Sequence, residues 1–198
     1  MPDKDNTLPT CFLGKRVQLG FVVKDLDATL RYWTEVLKVG PFVVMETSRG
    51  NRRVVFRGVE TKVDWQLAFA YMGDVQIEFI CPTNDEPSPY NEFLNSGHEG
   101  LNHIAYWPEN FEAACTYLEA HGFKDMCSFY EMNGTRNVVY YETPGTIGSI
   151  VEVVPLTAER SAYFGRIQRL SQTWDGVTRP VRRFADRAAF LASGEGAA

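Results

Sequence analysis

The stretch VQLGFVVKDLDATLRYWTEVL, residues 17–37, decides the fold once it is laid over NHIAYWPENFEAACTYLEAHG, residues 102–122. Gln18 then falls on His103, Gly20 on Ala105, Ala28 on Ala113 and Tyr32 on Tyr117, an offset of 85 residues. Each segment reads as a short apolar strand, an Asp or Asn turn, and a helix. An offset of this length is too long for a solenoid repeat and suits two fused half-domains. In the first segment Leu26, Leu30, Trp33 and Leu37 fall on one face of a 3.6-residue period. Asp25 or Asp27 can cap that helix, and Gly40-Pro41 stops it. The second helix repeats the plan, with Asn110 as cap, Phe111, Cys115 and Leu118 as its stripe, and Gly122 as stop.

Strand-like runs follow each helix. In the first half they are FVVMET (42–47), RRVVF (52–56), WQLAFAYM (65–72) and VQIEFIC (75–81), the last two joined by a Gly73-Asp74 turn. In the second half they are a weak strand near 126–131, NVVYYET (137–143) and SIVEVVP (149–155). The expected fold class is therefore α+β. Two βαβββ modules, 16–82 and 101–156, form a cupped, half-open mixed sheet barrel around a central cavity. An arm (1–15) precedes them, a Pro-, Asn- and Gly-rich linker (83–100) joins them, and an extension (157–198) follows. The extension holds seven arginines, no lysine and four acids. Helix is expected from Tyr163 to Leu170, a further short helical stretch from Ala188 to Leu191, and fraying from Gly194.

Composition narrows the function classes. With 198 residues, 44% apolar and 23% charged, the chain is an ordinary globular protein. A net charge of -5 argues against nucleic acid as the main partner. No apolar run approaches the roughly 20 residues of a membrane span, and MPDKDNTLPTCF lacks a basic-then-apolar signal sequence. The four cysteines form no CxxC pair. A reducing, cytoplasmic setting is expected.

Pleat alternation sorts the side chains that carry chemistry. In the first strand Val17, Leu19, Phe21 and Val23 suit packing under a helix, while Gln18, Gly20 and Val22 face the other way. In NHIAYW, His103, Ala105 and Trp107 face away from Ile104 and Tyr106. Glu78 and Glu152 each sit mid-strand among apolar neighbours, shortly before Pro82 and Pro155. A carboxylate buried alone costs several kcal/mol or more, so it is exposed, paired or bound to a metal. If the two modules close around a pseudo-twofold axis, Gln18, Glu78, His103 and Glu152 converge. One imidazole, one amide oxygen and two carboxylates suit an octahedral divalent ion (Mn, Co, Ni, Mg or Zn) with room for substrate. The absence of thiolates argues against a closed structural zinc site. His98 and His121 read as loop and helix-end residues.

At these residues the chain resembles the vicinal oxygen chelate superfamily, which includes glyoxalase I, methylmalonyl-CoA epimerase, the extradiol dioxygenases and bleomycin-resistance proteins. VQLGFVVKDLDATLRYWTEVL, VQIEFICP, SPYNEFLNSGHEGLNHIAY and GSIVEVVP carry the resemblance, across about residues 16–156. The segment Ser88 to Ile104 looks most like the epimerases, whereas the order Gln18, Glu78, His103, Glu152 resembles that of glyoxalase I. Val22 and Glu99 stand where glyoxalase I has arginines for glutathione, which points away from that substrate. A Gln in the first position likewise argues against the iron dioxygenases.

The resemblance implies a divalent-metal-dependent isomerase or lyase acting by proton transfer next to a carbonyl, through an enediolate that the cation stabilises. A small carbonyl compound or an acyl-CoA is the implied substrate, and a homodimer the implied assembly. Glu152 is the first choice as base, with Glu78 facing it. Glu46 falls near a second acid/base glutamate of the epimerases, though an exposed strand-end acid reads equally well. The competing expectation is a non-catalytic protein that sequesters a small molecule in an aromatic cavity lined by Trp65, Tyr71, Trp107 and Tyr141. The arginine-rich extension is expected to fold onto the acidic core or a second subunit, or to reach substrate phosphates.

Overall fold

The computed structural model of the chain describes residues 8–197. Residues 1–7, which begin the expected arm, and Ala198, at the end expected to fray, lie outside the described residues. The chain runs β1 (Val17–Val22), α1 (Leu26–Glu35), β2 (Phe42–Met45), β3 (Arg53–Phe56), β4 (Val59–Thr61), β5 (Trp65–Met72) and β6 (Val75–Pro82). After α2 (Pro89–Asn95) come β7 (Gly100–Tyr106), α3 (Phe111–Ala120), β8 (Lys124–Tyr130), β9 (Arg136–Glu142) and β10 (Ile150–Val153). The last elements are α4 (Ala158–Thr173), β11 (Val181–Phe184) and α5 (Arg187–Ala192).

All strands join one open, curled, mixed sheet in the order β11-β2-β5-β6-β1-β7-β10-β9-β8-β3-β4. The expected α+β class holds, and the repeat is visible in the pairing. β1 lies parallel to β6 as β7 lies parallel to β10, and the antiparallel β1–β7 seam joins the halves. β5 and β9 then pair antiparallel to β6 and β10.

The helices form where local signals place them. Asp25 accepts from Ala28 N at 2.9 Å and Asn110 from Ala113 N at 3.1 Å, each opening its helix. Leu26 and Leu30 bury against Val44, Ala68, Ile77 and Phe79, so α1 covers the convex face of the first module. Phe111, Cys115 and Leu118 do the same for the second, over Val139, Tyr141, Val151 and Val153. Leu37 is 47% exposed rather than part of the stripe, because α1 ends at Glu35 and the backbone of Lys38 turns to a φ of 57°.

Three departures matter for the site. RRVVF does form a strand, but β3 pairs with β8 at the far edge of the second module, and its hairpin partner β4 adds outside it. Alternation shows which face a strand presents, not which strand lies beside it. The linker contains a helix, α2, with Ser88 capping Asn91 N at 3.1 Å and Pro89 in the first turn. The extension does not fray at Gly194: Glu195 binds Arg179 and Arg182 at 2.8 and 2.7 Å, and Gly196 O accepts from Arg169. Its α4 is longer than expected and crosses the concave face. There Phe164 meets Phe69 and Trp107 with ring centroids 5.1 and 4.9 Å apart, and Ser171 Oγ accepts from Tyr71 N. β11 then adds to the first module's edge, parallel to β2. No described helix is long and apolar enough to cross a membrane.

Candidate metal centre

The floor of the cup is set by two cross-strand rows. Gly20 of β1 lies between Glu78 of β6 and His103 of β7, and Ala105 of β7 lies between Gln18 of β1 and Glu152 of β10. Each row thus has a small residue between two polar ones, related by the internal symmetry. The imidazole of His103 occupies the space over Gly20, where a Cβ would meet Cε1 at 1.9 Å.

Three of the expected side chains come together. His103 Nε2 stands 3.3 Å from Glu78 Oε2 and 3.1 Å from Glu152 Oε2, and all three residues are buried. None of these three atoms completes a well-directed hydrogen bond among the described residues. On the other side of the ring, Nδ1 lies 3.2 Å from Asn102 Oδ1, which accepts from it and leaves Nε2 facing the carboxylates. Asn102 was not anticipated, although its place directly before His103 in a strand end was visible. Tyr140 packs edge-on to the imidazole at 5.1 Å and bonds to Tyr90 Oη.

Gln18, also buried, lines the same cavity, and its amide stabilises the charged form of Glu78. Glu46 is not brought to the group. It is bound by Arg183 of β11 at 2.8 Å and by Gln66, and Arg183 also holds Asp27 beside α1.

Electrostatics here is governed by burial. Burial, outweighing His103 and Gln18, holds the Glu78 carboxyl above its usual range, with Glu152 adding to the rise. Burial also pulls His103 down, but the carboxylates of Glu152 and Glu78 outweigh it and raise the imidazole to about 9. Two acids and an imidazole with their free atoms within 4.8 Å of one another can hold a metal ion. Such an ion gives the unpartnered oxygens and nitrogen the partner that burial otherwise denies them.

Above this floor is a cavity of about 480 Å3, walled by Phe69, Trp107 and Phe164 and by the loop from Thr47 to Arg52. A second cavity of about 320 Å3 lies on the other side of Trp107, against Tyr71 and Gln76. Trp65 belongs with the concave core that fills the cup, as Tyr71 and Trp107 do. Tyr141 does not: it faces α3, where its hydroxyl donates to Glu119 Oε1 at 2.8 Å.

A duplicated βαβββ cup with acids and an imidazole on its floor defines a class of metal-site scaffold, and the sequence comparison gives that class its name. A family model described as Glyoxalase/Bleomycin resistance protein/Dioxygenase superfamily matches residues 17–140, and the chain belongs to this superfamily. No curated protein matches the sequence. Among solved structures, a hypothetical protein, BH1468 from Bacillus halodurans C-125, is 18% identical with a TM-score of 0.53, over 72% of this chain and 94% of that one. Methylmalonyl-CoA epimerase from Mycobacterium tuberculosis is 16% identical with a TM-score of 0.54, over 79% and 98%. The Streptomyces coelicolor epimerase in complex with 2-nitronate-propionyl-CoA is 18% identical with a TM-score of 0.50, over 73% and 96%. At these identities the likeness is one of fold.

Proposed function

We propose that the chain is a divalent-metal-dependent isomerase or lyase that moves a proton at a carbon next to a carbonyl, in the manner of a glyoxalase or an acyl-CoA epimerase. The observation that carries this reading is the aim of Glu78, His103 and Glu152 at one point on the cavity floor, each with an unpartnered atom. Gln18 is the fourth ligand in this reading, reaching the same point by turning its amide from Glu78. When bound, the cation supplies positive charge against the negative charge that develops on the substrate oxygens.

The chain's own groups supply the rest. Asn102 fixes the ring of His103, and Gly20 leaves it room. Glu152 takes the proton from the substrate carbon on one face, and Glu78 serves the opposite face. Trp107, Phe69 and Phe164 keep bulk water from the reacting carbon. The ion pair of Glu46 with Arg183 leaves Glu152 and Glu78 as the acid/base pair. A carbonyl substrate is supported by the epimerase likeness of the fold, and a homodimer is part of the proposal.

The test is metal analysis of protein purified without chelators, followed by deuterium incorporation from solvent into methylmalonyl-CoA and small 2-oxoaldehyde adducts. A stoichiometric divalent ion, and exchange abolished in a folded Glu152→Ala variant, are expected. Protein that holds no divalent ion and binds no added Mn, Co, Ni or Zn sinks this reading. It then favours sequestration of a small molecule in the cavity walled by Phe69, Trp107 and Phe164.

A further inference from the structure

The mouth of the larger cavity is built partly from residues beyond the superfamily match, and it is rich in guanidinium groups. Arg160, in the first turn of α4, donates to Pro155 O at 3.1 Å and Asn137 O at 3.4 Å. Arg52 donates to Arg49 O at 3.1 Å and to Ser48 O, with its Cζ 5.4 Å from the centroid of the Phe129 ring and 5.8 Å from that of Trp65. Arg187 lies 4.3 Å over the Tyr163 ring, with Nη2 2.9 Å from Glu159 and Nε buried without a hydrogen-bond partner. All three line the cavity.

Two of the three charges are poorly compensated. Arg52 and Arg160 bond only to neutral main-chain carbonyls, and among the described residues neither forms an ion pair. Of the acids at the mouth, Glu131 accepts from Asn137 and acts on Arg160 only at a distance, and Asp186 caps α5 at Ala189 N, 2.8 Å away. Burial, opposed by Glu152 and Glu131 and reinforced by the like charges of Arg52 and Arg187, lowers Arg160 to about 10. A planar guanidinium fork that has spent only part of its donors on carbonyls is suited to an oxyanion. In a chain of net charge -5, a cationic mouth over an acidic floor also gives the cavity a direction.

We propose that Arg52 and Arg160, with Arg187 beside them, form an oxyanion subsite at the cavity mouth. The substrate is then a small carbonyl compound that carries a carboxylate or phosphate at the end remote from the reacting carbon. The assignment of that remote end rests on the reading of the floor as the reacting centre. The subsite itself stands on the arginines alone, and this separates the two in experiment.

Inorganic phosphate and succinate are titrated separately into the full chain, as purified and again after chelation, and followed by tryptophan fluorescence, since Arg52 lies against Trp65. Saturable binding of one or both is expected, weakened at least about tenfold in Arg52→Gln and in Arg160→Gln. Arg166→Gln, whose guanidinium bonds Leu191 O outside the cavity, should bind as the parent does. Tighter phosphate than succinate assigns a phosphorylated substrate, and the reverse a carboxylate. Arg52→Gln leaves α4 untouched, so it carries the test if Arg160→Gln does not fold. Absence of saturable binding for both anions, or unchanged affinity in Arg52→Gln, overturns the subsite. Anion binding that persists in a protein unable to take up any metal keeps the subsite and sinks only the reading of the floor.

Discussion

Gly20 and His103 face each other across the seam between the two modules so closely that a methyl on Gly20 would stand 1.9 Å from Cε1 and 2.0 Å from Nε2 of the imidazole. The missing side chain on one strand is therefore the space in which the ring of the other strand lies. Gly20→Ala needs no unusual backbone angle, so its whole effect is contact. It should cost about 1–3 kcal/mol of stability, as overpacking does, and should displace Nε2 from Glu78 and Glu152. Thermal melting and zinc calorimetry on the same variant read the two effects. A variant with parental zinc affinity would show that the ring is not a ligand.

Metal itself should stabilise the fold, because the convergent group does not exist in the unfolded chain. A free ion at a hundred times its dissociation constant adds about 2.7 kcal/mol, which for a chain of this size raises the melting temperature by roughly 5–10 °C. Scanning with Mn, Co, Ni and Zn, then with chelator, measures it. Glu78→Ala and Glu152→Ala should each lose most of the rise. A melting temperature indifferent to every ion contradicts the metal centre.

Trp107 lines both cavities, and Phe164 of α4 backs it on the side of the larger one. Phe164 is nearly buried and touches the rings of Phe69, Trp107 and Tyr163. Phe164→Ala should cost about 3–5 kcal/mol and enlarge the cavity of about 480 Å3 that it walls. Increased binding of a hydrophobic dye, with the sheet's circular dichroism retained, is the expected sign.

The end of the chain should loosen in acid. Burial pushes Glu195 up, but Arg179 and Arg182 outweigh it and hold the carboxyl below its ordinary value. Because the folded value is depressed, the clasp is fully present above the ordinary carboxylate range and is lost as pH falls through the depressed value. Amide exchange at residues 193–197, corrected for intrinsic pH dependence, should therefore quicken as the solution is acidified through that range. Glu195→Gln should show the quicker exchange already at neutral pH. Equal protection in parent and variant would remove the clasp.

Much of this architecture was legible because it is local. The stripes of α1 and α3, their Asp25 and Asn110 caps, and the alternation that turns Gln18 and His103 inward need only neighbours in sequence. The equivalence of Glu78 and Glu152 came from the repeat. What stayed hidden depends on distant partners. Nothing in RRVVF names β8 as its neighbour, and nothing in VRRF distinguishes an added edge strand from a loop. Tyr141 was assigned to the cavity without fixing the phase of its strand. The register of Tyr140 against Glu152 shows that the preceding residue faces the cup. Glu46 follows the same rule: β2 ends with Met45 in the concave core, and the next side chain meets Arg183.

The crossover from β2 to β3 has a mechanical consequence. One end of this short segment is fixed to the first module's outer flank and the other to the second module's, so it works as a strap across the jaws. Opening of the cup must carry this crossover with it, whereas the spacing of Glu78 and Glu152 is set by the four adjoining strands β6, β1, β7 and β10. Residues inserted between Thr47 and Arg52 would therefore reshape the wall of the larger cavity and its choice of guest, with every floor residue left in place.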